Sequence, residues 1–126
     1  MKTFRFKDFQ VYKDAKKFRK TVRHFLEKFP DQERYRLEDQ VQRSLFSVLL
    51  NIAEGSAKKS DKDFARFLGI SIGSMNEIIA AFDLAHDDGF ITMEDQQLLE
   101  QEAEIVTKQL GSFIKTLTYR QPNATS

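Results

Sequence analysis

Hydrophobic positions recur along most of the chain at steps of three and four residues, the period of an α-helix with one buried face. In the first such segment the repeating apolar residues are Val11, Ala15, Phe18, Val22, Phe25 and Phe29. This spacing predicts a helix over residues 9–29. Pro30 is predicted to end it, because proline cannot donate the helical hydrogen bond and disfavours helical geometry in the residue before it.

Three further segments show the same period, over residues 32–54, 61–88 and 93–118. The short connections between them are typical of helices that turn back on one another. We therefore expect an all-α fold, a single-domain antiparallel up-down-up-down four-helix bundle over residues 1–126. The tail over residues 121–126 is expected to be flexible.

Polar residues and glycines mark the predicted helix ends. Asp31 is the predicted N-cap of the second helix. Ser60 and Thr92 are each followed by an aspartate three residues later, which predicts a capping box at the start of the third and fourth helices. Gly55 and Gly89 are predicted to end the second and third helices, because glycine readily adopts the conformation that terminates a helix.

The composition narrows the function classes. The chain has no cysteine, which excludes disulfides, thiolate metal sites and cysteine nucleophiles. No secretory signal or membrane span is recognisable in the sequence, so we expect a cytoplasmic protein without a membrane partner. No glycine-rich phosphate loop or serine nucleophile motif is present, and the expectation is a protein without a cofactor that is not an enzyme.

The charge is strongly uneven. Residues 1–30 contain ten Lys/Arg and three Asp/Glu, a net charge of +7, and since the whole chain carries +1 the remainder carries −6. The first helix therefore presents a basic face that could contact a polyanion, or could be neutralised by acidic helices in the same bundle. The candidate phosphate-binding residues are Lys13, Lys16, Lys17, Arg19, Lys20 and Arg23.

A stripe of polar residues runs along the otherwise apolar second helix. Its members are Gln40, Ser44, Ser47, Asn51 and Glu54. Folding the second and third helices together is expected to bring Glu77 level with Gln40, and Ser74 level with Arg43. The prediction is a hydrogen-bonded polar network that joins Arg43, Glu77 and their neighbours in the stripe and at Ser74, because a partly buried acid needs a donor.

The stripe has other interpretations. It could be exposed surface, a device that fixes helix register and oligomeric state, or a direct contact with ligand or RNA. Glu54 lies near the end of its helix, where exposed carbonyl groups disfavour an acid. We expect it to be compensated by Lys58, by Lys59 or by a neighbouring subunit.

Several of these residues also carry a family resemblance. They are Gln40, Arg43, Ser44, Ser47, the run Asn51-Ile52-Ala53-Glu54-Gly55, Ser60, Phe67-Leu68, Gly73-Ser74 and Glu77. In this order and spacing they resemble the bacterial four-helix-bundle proteins encoded in intervening sequences of 23S ribosomal RNA genes. The resemblance spans about residues 6–118.

The resemblance implies a homopentameric ring of four-helix bundles and no catalytic residues. It also implies a distant likeness to the accessory protein of diversity-generating retroelements, a basic pentameric nucleic-acid binder. Binding of structured RNA or DNA through the basic first helix is the function that follows.

Two alternatives come from other classes. A di-iron enzyme on this fold needs paired Glu-x-x-His elements, and only Asp83-x-x-His86 comes near, while His24 has no matching acid. A protein–protein adaptor would use the same basic helix to dock an acidic partner.

Overall fold

The computed structural model describes residues 3–119, without the side chain of residue 33, and the predicted flexible tail lies outside this range. It contains a short 3-10 helix and four α-helices: Arg5–Asp8, then α1 (Gln10–Leu26), α2 (Asp31–Ser56), α3 (Asp61–Asp87) and α4 (Met93–Tyr119). This confirms the predicted all-α four-helix bundle.

The helices occupy the corners of the cross-section in chain order. α1 packs against α2 and α4, and α3 packs against the same two helices from the other side. α1 is therefore diagonal to α3. The connections span only residues 27–30, 57–60 and 88–92, so each helix runs antiparallel to the one before it.

The core is built from the repeating apolar positions that the sequence pattern identifies. Its largest fully buried side chains include Phe18, Leu45, Met75, Phe82 and Leu99, with at least one from every α-helix. Because each of these side chains removes apolar surface from water, they supply most of the driving force for assembly of the four helices.

Phenylalanines close the bundle at both ends. At one end Phe64 lies 5.0 Å, centroid to centroid, from Phe113, and Phe9 stacks against Phe64 at 6.2 Å. At the other end Phe29 lies 6.1 Å from Phe82, and Phe90 completes the cluster. Rings in these edge and stacked arrangements stabilise the two ends of the bundle.

Two of the predicted caps are confirmed. The Asp63 N–H donates to Ser60 Oγ at 3.0 Å. At the start of α4 the Asp95 N–H donates to Thr92 Oγ1 at 3.0 Å, and the Thr92 N–H donates back to Asp95 Oδ2 at 3.3 Å. These reciprocal bonds satisfy backbone donors that a helix start leaves unpaired.

The boundary between α1 and α2 differs from the prediction. α1 ends at Leu26, because the Lys28 and Phe29 N–H groups bond three residues back instead of four. Phe29 nevertheless stays in the core. Asp31 is the first residue of α2 and makes no cap, since Pro30 precedes it as the N-cap residue.

The sequence predicted that Gly55 would end α2. Instead, Gly55 lies inside the helix, which continues to Ser56. A Cβ added at Gly55 would lie 2.9 Å from Phe64 Cδ1 and 2.9 Å from Phe67 Cβ. Glycine is required there because α3 approaches the α2 backbone closely. Gly89, with φ +82°, comes immediately after Asp88, the C-cap of α3, and fits the predicted termination.

Among the described helices, α3 is long and apolar enough to cross a membrane by length and composition alone. The central helix of a soluble bundle passes the same test. α3 places Leu68 and Ile78 in the core, carries the charged Glu77 near its middle, and also exposes Ile70 and Leu84.

Candidate nucleic-acid interface

Most of the exposed residues of α1 are basic. These basic residues, here called the basic face of α1, are Lys13, Lys16, Lys17, Lys20 and Arg23. The amphipathic pattern explains this placement, since Val11, Ala15, Phe18 and Val22 turn the opposite side into the core. At 1.5 Å per residue the basic face is about 15 Å long.

The basic face is not neutralised within the chain. Within residues 3–119 none of its five side chains forms a salt bridge. The contact recorded for Lys16 is with an aromatic ring: its Nζ lies 5.6 Å from the ring centroid of Tyr12. The charges are therefore available to an external anion.

Arg19 differs from the other predicted phosphate ligands. It is half-buried in the seam between α1 and α2, and its guanidinium lies 5.4 Å from the ring centroid of Phe46. Its Nε is buried and has no hydrogen-bond partner among the residues described. Arg19 thus packs between helices, and the basic face comprises five of the six predicted side chains.

Two acids at the seam between α1 and α4 are hydrogen-bonded to groups outside the basic face. Asp14 accepts a hydrogen bond from Gln109 Nε2 at 2.6 Å. Glu102 accepts one from the Thr21 hydroxyl at 2.9 Å. Both bonds join α1 to α4, and neither uses a side chain of the basic face. The α1–α4 seam therefore leaves that face uncompensated.

One ion pair links the connection between α1 and α2 to α4 at the end of the bundle. Lys28 Nζ lies 3.3 Å from Asp95 Oδ2, and Asp95 also caps α4. Burial acts to raise the pKa of Asp95, but the backbone hydrogen bond from Thr92 and the Lys28 ammonium outweigh it and hold the pKa below 3.8. The Asp95 carboxylate thus caps α4 and also holds the connection that contains Lys28 against it.

Four members of the predicted polar network meet at the seam between α2 and α3. The Ser74 hydroxyl donates to Ser47 Oγ at 2.7 Å. Asn51 Nδ2 donates to the Ser47 carbonyl oxygen at 2.7 Å and to Ser47 Oγ at 3.1 Å. Ser44 is buried beside them. These side chains join two helices within one chain.

The predicted contact between Arg43 and Glu77 is not formed within the described chain. Arg43 Nη2 lies 3.0 Å from Asp39 Oδ2 on the same helix. Glu77 is exposed, so it suffers no desolvation that would demand a partner. Both side chains point away from the core, where an acid four residues earlier is the nearer partner for Arg43.

The register between α2 and α3 also differs from the prediction by one helical turn. Ser74 is level with Ser47, and not with Arg43. Gln40 is exposed. Glu54 pairs with Lys58 at 3.6 Å, one of the partners expected for it.

A further polar contact was missed by the sequence pattern. The Ser71 hydroxyl, fully buried on α3, donates to the Val48 carbonyl oxygen at 2.8 Å. Serine within an apolar helix face usually satisfies its hydroxyl on a nearby carbonyl, but here the carbonyl belongs to another helix. The available signal was a small polar residue at a core position of the heptad.

The histidines take no part in a metal cluster. No group of three or more His, Cys, Asp or Glu side chains within residues 3–119 is arranged to hold a metal ion. His24 is exposed and lies against the Phe25 ring, with 5.6 Å between the ring centroids.

Comparison with known proteins identifies a family and a similar solved structure. The family model described as 23S rRNA-intervening sequence protein matches residues 7–112. No curated protein matches the sequence. The structure is similar to a crystal structure of a protein with unknown function from the S23 ribosomal protein family of Bacteroides thetaiotaomicron VPI-5482, with a TM-score of 0.74 at 24% identity. The match covers 83% of this chain and 98% of that one, and at this identity it shows the fold alone.

Proposed function

Because this chain belongs to the 23S rRNA-intervening sequence protein family, we propose that it is an oligomeric, non-enzymatic protein that binds structured RNA or DNA. The observation that carries the proposal is the basic face of α1. Five exposed cations on one helix face, without an ion pair in the described chain, form a surface that a phosphate backbone would neutralise.

The geometry suits contact with a backbone rather than with base edges. Lysines predominate on the face, and a lysine ammonium binds phosphate as a point charge without the bidentate geometry that reads a base. The rigid helix fixes the spacing of the cations before binding. We therefore expect recognition of shape and charge, with little preference for sequence.

The non-enzymatic part of the proposal rests on how the interior polar groups are used. Ser74, Ser47 and Asn51 bond to one another, and Ser71 bonds to a backbone carbonyl. These bonds hold α2 and α3 together. Homo-oligomerisation, with the pentamer implied by the family resemblance, and a cytoplasmic location complete the proposal.

Fluorescence anisotropy with a labelled RNA hairpin and a labelled DNA duplex at low ionic strength tests the proposal. The test variant reverses three charges of the basic face, Lys16→Glu, Lys17→Glu and Lys20→Glu. The control reverses three exposed lysines elsewhere, Lys59→Glu, Lys62→Glu and Lys115→Glu, so that both variants have the same net charge.

We expect the wild-type protein and the control to bind, and the test variant to lose at least tenfold in affinity. Equal losses in both variants would mean that net charge alone drives binding. If neither nucleic acid binds and an acidic protein does, the same face belongs to an adaptor and the proposal fails.

A further inference from the structure

The outward side of α3 carries an apolar stripe with no partner in the bundle. Its residues, here called the α3 stripe, are Ile70, Gly73, Glu77, Ala80 and Leu84. They follow one another at steps of three and four, and all are exposed. Ile70 is 43% exposed and Leu84 62% exposed.

α4 carries a second stripe with the same spacing. Its residues, here called the α4 stripe, are Leu98, Gln101, Ile105, Lys108 and Ser112. All five are exposed, and the two large apolar members, Leu98 and Ile105, are 44% and 53% exposed. Each helix thus has one seam in the core and a second seam on its outer side.

An exposed seam with the three-four spacing is what one helix presents to another. We propose that the α3 stripe of one copy of this chain packs against the α4 stripe of the next copy. This inference rests on the oligomeric part of the proposed function and assigns the faces that meet.

The two stripes match in length and shape. Each spans fourteen residue steps, about 21 Å of helix. Gly73 and Ala80 are small, so a facing helix can approach the α3 backbone closely, and nothing lies within 4 Å of the position of a Gly73 Cβ. The bulky Ile105 of the α4 stripe can fill the space between Gly73 and Ala80.

The charges also match. If copies stand side by side and point the same way, α3 of one runs antiparallel to α4 of the next, as in a single chain. Aligning Leu84 with Leu98 then brings Lys108 within one helical turn of Glu77. Glu77 has no partner within the described residues, and Lys108 has only an exposed pair with Glu104 at 3.6 Å.

Self-pairing of the α3 stripe is less favourable. A two-fold axis through its centre would place Glu77 against Glu77 of the second copy, and like charges at such a contact repel. Pairing of the α4 stripe with itself would leave Ile70 and Leu84 uncovered. The contact between different stripes covers both apolar surfaces and pairs Glu77 with a cation.

Two different faces meeting head to tail produce a closed ring when the rotation between copies closes. The stripes lie on adjacent corners of the bundle, and α1 is diagonal to α3. The α3 stripe therefore lies on the helix opposite the basic face of α1, and Leu98 of the α4 stripe shares a surface groove with Lys20 at the edge of that face.

Mixing of complementary variants tests the inference by light scattering. The first variant, Ile70→Asp with Leu84→Asp, removes the α3 stripe. The second, Leu98→Asp with Ile105→Asp, removes the α4 stripe. All four side chains are exposed in the single chain, so both variants should fold, which circular dichroism checks. Tyr35→Asp with Leu50→Asp, at two exposed positions on α2, is the matched control.

We expect the wild-type protein and the control to form the same assembly, and each stripe variant alone to have the 14.7 kDa mass of one chain. An equimolar mixture should form a dimer of twice that mass, because one intact stripe of each kind remains. A mixture that stays monomeric would overturn the assignment of faces, and so would either variant assembling as the wild type does. Neither result would contradict the oligomeric part of the proposed function.

A monomeric wild-type protein would overturn both this inference and the oligomeric part of the proposed function, while nucleic-acid binding is measured separately. The other possible occupant of the α3 stripe is a lipid surface. If the wild-type protein sediments with neutral phosphatidylcholine vesicles and the first variant does not, the stripe belongs to a membrane and the inference is overturned.

Discussion

The Ser74 hydroxyl donates a 2.7 Å hydrogen bond to Ser47 Oγ across the seam between α2 and α3. Asn51 donates to the same Ser47 oxygen from one turn further along α2. Ser74 is buried, and in this register its hydroxyl finds its partner on Ser47 across the seam. The contact therefore fixes the register of the tightest helix pair in the bundle.

Loss of this contact should lower stability modestly. We expect Ser74→Ala to reduce the free energy of unfolding by about 1 kcal/mol, because one part-buried hydrogen bond is lost. Urea denaturation of Ser47→Ala, Ser74→Ala and the double variant measures the coupling. A double variant that loses as much as the two single variants together would show that the hydroxyls do not interact.

Gly55→Ala should destabilise the fold, although alanine is the better helix former. The new Cβ would lie 2.9 Å from both Phe64 and Phe67, and overpacking of this kind costs about 1–3 kcal/mol. Gly69→Ala is the matched control, since no atom lies within 4 Å of its Cβ position and helix propensity should add up to about 1 kcal/mol. Thermal unfolding of the two variants should shift in opposite directions.

Asp95 should make stability depend on pH in the acid range. Its pKa in the folded protein lies below 3.8, so its stabilising contribution is fully present above pH 3.8 and is lost as the pH falls through the folded-state value. Asp95→Asn should therefore be less stable than the wild type at pH 7, and the difference should shrink below pH 3.8. A difference that stays constant down to pH 2 would contradict this role.

Reversal of one charge in the α3 stripe should weaken assembly, and a second reversal should restore it. Glu77→Lys places a cation near Lys108 of the neighbouring copy, and we expect at least a tenfold weaker association. Adding Lys108→Glu to the same chain recreates an opposite pair at the interface. Sedimentation velocity measures the three proteins, and failure of the second change to restore assembly would remove this pair from the interface.

Local signals in the sequence were sufficient for the helices and for two of the caps. Ser60 and Thr92 each bond within their own first turn, so spacing alone identifies them. The end of α2 was predicted wrongly because glycine is common at helix ends. In the structure, Gly55 is small because Phe64 of another helix packs closely against it. Such a contact depends on the packing of distant segments.

The basic face was predictable for the same reason as the helices, since a three-four spacing places Lys13, Lys16 and Lys20 on one side. The positions of Arg19 and of the polar network were harder to predict from the sequence. Arg19 packs on Phe46 because its helix position turns it toward α2. The predicted register between α2 and α3 was wrong, so the predicted position of Ser74 was off by one turn. Arg43 pairs with Asp39 because of its side-chain conformation, which residue spacing does not determine.

The salt dependence of duplex DNA binding tests the central claim most directly. Each phosphate neutralised by a cation contributes about −0.9 to the slope of log affinity against log salt, so one copy of the basic face predicts a slope of about −4 to −5. Neutralising Lys16, Lys17 and Lys20 as Lys→Met should reduce the magnitude of the slope by about three for each copy of α1 that contacts the DNA. An unchanged slope would show that the basic face of α1 does not contact the nucleic acid.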